Sequence, residues 1–118
     1  MIALVMGVDV ELMRAEQQDT SPRRRRDTQV SVVADVRDRF ANALERVQHS
    51  GKTPMLDRIS PYGLLELSPV EMPQFLGELD ELVARAEAAA ERDILAAVRR
   101  LAETCRDDRN LRLRLVGD

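Results

Sequence analysis

The sequence predicts a small α+β domain, and two observations support this fold class. Three short segments alternate apolar and polar residues with a period of two, which is typical of strands with one buried and one solvated face. The stretches between them have helical periodicity or the composition of loops. We therefore expect one domain over residues 1–118, in the order βαβααβ, with a three-stranded, mainly antiparallel sheet and three helices packed on one face.

The three predicted strands each have an apolar and a polar phase. In the first strand the apolar phase comprises Ile2, Leu4, Met6, Val8, Val10 and Leu12. The second strand is expected over 62–67 and the third over 110–115, with leucine at every other position in its core. The polar phases share one outward face and carry the charged residues Asp9, Glu11, Glu66, Arg112 and Arg114.

Helical periodicity predicts the three helices. An apolar stripe running from about Val30 to Val47 predicts the first, ending near Gly51. A second stripe runs from Met72 to Cys105, after a Ser68–Glu71 capping box. A single helix there would exceed about 50 Å, roughly twice the width of a compact chain of this length. Two helices with a break in 88–92 are expected, and one long dimerising helix is the alternative.

The segment over about 14–29 is polar and contains four consecutive arginines, Arg23, Arg24, Arg25 and Arg26. It cannot bury enough apolar surface to offset its ordering entropy, so a flexible loop is expected. Four guanidinium groups could bind phosphates or an acidic protein surface. The arginine run is therefore a candidate anion-binding site, and a solvated loop is the default interpretation.

Composition limits the classes of partner. The net charge is −3 and the isoelectric point is about 5.3, which argues against general affinity for nucleic acid or an anionic membrane. Only three aromatic residues occur, so stacking platforms for bases are hard to assemble. A single cysteine, Cys105, cannot form an internal disulfide, and a cytoplasmic location is expected. Met1 and Met6 are alternative translation starts.

No motif predicts catalysis, a cofactor or a bound metal. His49 is the only histidine, Cys105 lies on the apolar stripe, and the glycines match no phosphate-binding fingerprint. A small enzyme using the carboxylates of Asp9, Glu11 or Glu66 is the weakest hypothesis. Arginines on a neighbouring strand favour their ionised form, which opposes general acid catalysis and favours cross-strand ion pairs. Six acidic residues of the last two helices are expected on solvated faces, with Glu81 paired to Arg85, namely Glu78, Asp80, Glu81, Glu87, Glu91 and Asp93.

Two short motifs carry a resemblance. Met6-Gly7-Val8-Asp9-Val10 and the terminal Gly117-Asp118 are similar to the ends of small actinobacterial proteins of comparable length. The general plan also resembles toxin-neutralising immunity proteins, many of which are acidic α+β domains. This resemblance implies a bacterial protein that binds another protein, with no catalytic residue carried across.

The leading hypothesis is therefore a protein-binding module, in its most concrete form an immunity-like or antitoxin-like inhibitor. The charged outward face, with Asp9, Glu11, Glu66, Arg112 and Arg114, is its expected partner-binding surface. The alternative is a nucleic-acid-associated regulator that uses Arg23–Arg26. A homodimer is also expected, with a two-fold contact at a strand edge or along the Met72–Cys105 stripe.

Overall fold

The structure, a computed structural model, describes residues 7–17, 25–60 and 62–117, and of residues 15–17, 25 and 26 it describes the backbone alone. Ile2, Leu4 and Met6 of the expected first strand lie outside these residues. The strands are β1 (Val8–Gln17), β2 (Arg25–Val33), β3 (Leu64–Leu67) and β4 (Leu111–Gly117), and the helices are α1 (Arg39–Val47), α2 (Met72–Ala84) and α3 (Ala89–Arg106). The α+β class, with three helices and an antiparallel sheet, is thus confirmed.

The sheet has four strands in the order β2-β1-β4-β3, so the expected three strands and the order βαβααβ were wrong. The additional strand is β2, which pairs with β1 from Val10↔Val33 to Gln17↔Arg25. Where the chain is described, the loop expected over about 14–29 is strand: 14–17 belong to β1 and 25–29 to β2. Pairing within this hairpin satisfies the backbone groups of a polar segment without deep burial.

The first helix begins at Arg39 rather than near Val30, because Val30 and Val33 belong to β2. The prediction that the Met72–Cys105 stripe forms two helices is confirmed. The break occupies 85–88, slightly earlier than expected, and the backbone at Ala88 is extended. On α3, next to the break, Glu91 is 5% exposed and pairs with Arg46 of α1. This carboxylate raises the pKa of the Arg46 guanidinium by hydrogen bonding to it.

One hydrophobic core lies between the sheet and the three helices. Phe40 of α1 and Phe75 of α2 are both 0% exposed. The inward phase of the strands joins them, namely Val8, Val10, Leu12, Leu67, Leu111, Leu113 and Leu115. All three helices contribute buried residues to this side of the sheet. The other side of the sheet is therefore the place where a charged surface can form.

Candidate protein-binding face

The sheet side opposite the core is here called the open sheet face. Because neighbouring residues of a strand point to opposite sides, strand register fixes its members. The residues on it include Asp9, Glu11, Met13, Val32, Leu64, Glu66, Arg112, Arg114 and Val116. The sequence-based expectation of a charged outward face thus corresponds to a contiguous surface that spans all four strands.

The centre of the open sheet face is a row of alternating charge. Glu11 of β1 lies opposite Arg114 of β4, and Arg114 lies opposite Glu66 of β3. The Oε1 atom of Glu11 is 3.8 Å from Nε of Arg114, so these two form the cross-strand ion pair that the sequence predicted. Their side chains are 24% and 26% exposed. Both remain accessible to a protein that packs on this face.

The Glu11–Arg114 pair is too long to be a directed hydrogen bond. Within the described part of the chain, Nε of Arg114 has no hydrogen-bond partner. The two groups are therefore held together by charge rather than by a directed hydrogen bond.

Two of the predicted partner-binding residues are used within the chain. Oδ1 of Asp9 accepts a hydrogen bond from the backbone N–H of Asp35, with an N···O distance of 2.8 Å. Nη1 of Arg112 donates to the carbonyl oxygens of Arg109, at 3.0 Å, and Leu111, at 2.7 Å. Asp9 and Arg112 thus fix the backbone at the borders of the open sheet face, and its charged centre comprises Glu11, Arg114 and Glu66.

Exposed apolar side chains lie on either side of this charged row. Val32 of β2 is 44% exposed, and Leu64 of β3 is 57% exposed. Met13, beside Arg112, is only 7% exposed although it lies on the same face. Sequence reasoning missed Val32 because it assigned this segment to a helix, although the alternation Val30-Ser31-Val32 is a strand signal.

Of the two surfaces expected to form a dimer contact, the helical stripe is buried and the strand edges are present. The Met72–Cys105 stripe is not available, because Met72, Phe75, Leu79 and Cys105 are all 0% exposed within the core of one chain. That alternative was wrong. β2 and β3 are the edge strands, so strand edges exist as expected. In β3 the N–H and C=O groups of Leu64 and Glu66 point away from β4, because Gly63 and Gly117 form a hydrogen-bonded pair.

The structure describes only part of the arginine run. Arg23 and Arg24 lie outside the described residues, whereas the backbones of Arg25 and Arg26 begin β2. The ladder between β1 and β4 ends at Arg14↔Leu111. Beyond that point, the described residues 15–17 and 25–27 form a two-stranded ribbon.

Other candidate groups lie apart from the open sheet face. Cys105 is 0% exposed, and burial raises the pKa of its thiol to about 11, which is the state of a core residue rather than of a nucleophile. His49 is exposed, with a left-handed φ of 63°. Among the described residues, no three His, Cys, Asp or Glu side chains are grouped so as to hold a metal ion. A shallow depression of about 310 Å³ lies between the turn at Pro54–Arg58 and the start of α2.

Over the described residues, these features define an α+β domain with helices on one side of the sheet and none on the other. The sequence matches no protein-family model, and no curated protein or solved structure was found to be similar to it. In the residues that the structure describes, no helix has the length and apolar character needed to cross a bilayer.

Proposed function

We propose that this protein is a binding module that docks another protein on the open sheet face. The observation that carries the proposal is the row Glu11–Arg114–Glu66, flanked by exposed Val32 and Leu64. A row of alternating charge fixes the register of a partner, and the exposed apolar side chains add area that is favourable to bury. The Glu11–Arg114 ion pair within the sheet supports docking over catalysis.

The most concrete form of the proposal is an immunity-like or antitoxin-like inhibitor in the bacterial cytoplasm. A net charge of −3 favours encounter with a basic partner. The buried, unpaired Cys105 suits a reducing compartment. Binding alone accounts for this activity, so the proposal includes no catalysis, cofactor or metal.

A matched pair of valine substitutions tests the docking surface. Val32→Glu places a carboxylate on the open sheet face, whereas Val83→Glu places one on α2, where Val83 is similarly exposed at 40% against 44%. We expect Val32→Glu to reduce recovery of a stoichiometric protein partner from the native host at least tenfold, because docking would bury the new charge. Quantitative affinity capture with each variant measures the effect.

The Val83→Glu variant should recover the partner as the wild type does. Equal recovery with both variants would place the contact elsewhere on the molecule. Repeated failure of the wild-type chain to recover any stoichiometric protein would contradict the proposed function itself.

A nucleic-acid-associated regulator is the second candidate, and the two-stranded ribbon that presents the backbones of Arg25 and Arg26 beyond β4 favours it. Phosphate binding releases counterions, so retention on DNA or RNA should fall steeply with salt. Replacing Arg23–Arg26 with alanine should then weaken retention at low salt. Unchanged retention, or none in the wild type, removes this candidate.

A further inference from the structure

We propose that a second copy of this chain covers the open sheet face, in a two-fold dimer with the two sheets packed face to face. The inference rests on the proposed function, because it takes the open sheet face as a docking surface and names its first occupant. The inference goes beyond the proposed function by specifying the symmetry axis and the residues that meet across that axis.

The strand order places the centre of the sheet between β1 and β4. A two-fold axis that runs parallel to the strands through this centre stacks β1 of one copy on β4 of the other, and it gives the greatest overlap of the two sheets. Glu11 and Arg114 are register partners, so they lie at the same height along the strands. The axis therefore places Glu11 of each copy opposite Arg114 of the other.

A two-fold axis perpendicular to the strands gives no such pairing of opposite charges. A two-fold axis perpendicular to the strands through the same row would stack each strand on its own counterpart, and Glu11 would face Glu11. Like charges in direct opposition are unfavourable at an interface. The charge pattern thus selects the strand-parallel axis, which creates two equivalent ion pairs between the copies.

The outer strands fit the same arrangement. The strand-parallel axis stacks β2 on β3 of the second copy, so Val32 faces Glu66 of that copy, whose methylene groups can pack on it. Val32 and Leu64, at 44% and 57% exposure, both become covered. Burial of these apolar residues at the two borders of the face is favourable.

The size of the face determines the strength expected of the dimer. Strands spaced by about 4.8 Å, with about 3.4 Å per residue, cover roughly 400 Å² per copy when three strands extend over the seven residues of β4 and β3 over its four. The two copies together bury on the order of 800 Å², which is below the range of stable specific interfaces and typical of weak, transient contacts. We therefore expect a concentration-dependent dimer with a dissociation constant of roughly 10–100 μM.

A mixing experiment separates contacts between chains from the Glu11–Arg114 pair within one chain. Arg114→Glu leaves three acids in the central row, at positions 11, 66 and 114, and Glu11→Arg gives a row with two arginines. Each variant alone opposes like charges across the proposed axis and should remain a monomer of 13.3 kDa. In an equimolar mixture both contacts between chains become attractive, whereas the pairs within each chain stay repulsive. The mixture should therefore dimerise.

Sedimentation equilibrium over roughly 5–500 μM measures all species. We expect the wild type to approach twice 13.3 kDa with rising concentration, and the mixture to do so at lower concentration. The matched control uses the exposed ion pair between Glu81 of α2 and Arg85, the residue that follows α2. Glu81→Arg and Arg85→Glu are made as two separate variants. These chains should dimerise like the wild type, singly and mixed.

A wild-type chain that stays at 13.3 kDa throughout the range overturns the proposal, as does a mixture that remains monomeric. If either charge variant fails to fold, Leu64→Glu, at a 57% exposed position, replaces it, and retention of the dimer in that variant contradicts the proposal equally. Capture of another protein that Val32→Glu abolishes would still uphold the proposed function. The two proposals can thus fail separately.

Discussion

Replacing Asp35 with alanine is expected to lower the free energy of unfolding by about 3 kcal/mol, because one carboxylate fixes three backbone N–H groups. Oδ2 of Asp35 accepts hydrogen bonds from Val8, at 2.9 Å, and Ala41, at 2.9 Å. Oδ1 accepts one from Phe40, at 2.7 Å. The side chain therefore joins the start of β1 to the first turn of α1.

The backbone around Asp35 makes this contact difficult to replace. Arg37 and Asp38 adopt left-handed conformations, with φ of 57° and 58°, which few residues other than glycine adopt readily. The carboxylate also lies at the positive end of the α1 dipole. A Cβ atom at Gly7 would approach Oδ1 of Asp38 to 3.0 Å, so this corner is closely packed as well.

Urea denaturation followed by far-ultraviolet circular dichroism measures the loss at Asp35. Asp93→Ala, at an exposed aspartate of α3, is the matched control and should change the free energy of unfolding by less than about 0.5 kcal/mol. Asp35→Asn should lie between the wild type and Asp35→Ala, because an amide retains one acceptor oxygen. An Asp35→Ala variant as stable as the control would contradict the account of this corner.

Replacing Glu78 with alanine is expected to lower the free energy of unfolding by about 3 kcal/mol, independently of Asp35, because it leaves buried backbone donors without acceptors. Glu78 is 7% exposed. Its Oε1 accepts hydrogen bonds from the N–H groups of Met55 and Leu56, both at 2.9 Å, and its Oε2 accepts one from Nε2 of Gln74, at 2.8 Å. Glu78 therefore anchors the turn at 54–58 to α2.

The matched control for Glu78 is Glu87→Ala, because Glu87 is an exposed glutamate just after α2. Its free energy of unfolding should stay within about 0.5 kcal/mol of the wild type. In Glu78→Ala we also expect faster amide hydrogen exchange at Met55 and Leu56, since their N–H groups lose their acceptor. Unchanged exchange at both amides would show that Glu78 does not hold the turn.

The sequence predicted those elements whose side chains form a one-sided apolar pattern. β4 and the helices α2 and α3 follow this rule, because each buries one face in a common core. β2 did not follow it: residues 27–32 are all exposed, so the short alternation Val30-Ser31-Val32 does not correspond to a buried face. Its pairing with β1 gives it order, and short-range periodicity does not report pairing between segments.

The acidic residues show the same limit. Six acidic residues of α2, α3 and the short link between them were expected to be solvated, and the Glu81–Arg85 pair is present at 3.7 Å. Glu78 and Glu91 are instead buried, at 7% and 5% exposure. Helical periodicity places them on a polar side but cannot reveal that the turn at 54–58 covers Glu78 and that Arg46 of α1 reaches Glu91. Tertiary contacts determine which carboxylates are buried.

The sequence predicted the charged residues of the open sheet face but not the exposed apolar residues at its borders. Strand alternation alone placed Glu11, Glu66 and Arg114 on one face, and their register brings them into one row. The roles of Asp9 and Arg112 were not visible, because their partners are backbone groups of Asp35, Arg109 and Leu111. Val32 could not be placed on this face because its strand, β2, was not predicted.

Site-specific photo-crosslinking in the native host tests whether the open sheet face binds protein. A photoreactive phenylalanine analogue placed at Val32 or at Val83 probes two similarly exposed valines, one on the open sheet face and one on α2. We expect a discrete protein adduct from position 32 and none from position 83. Adducts from position 83 alone, or none from either position, would contradict this expectation.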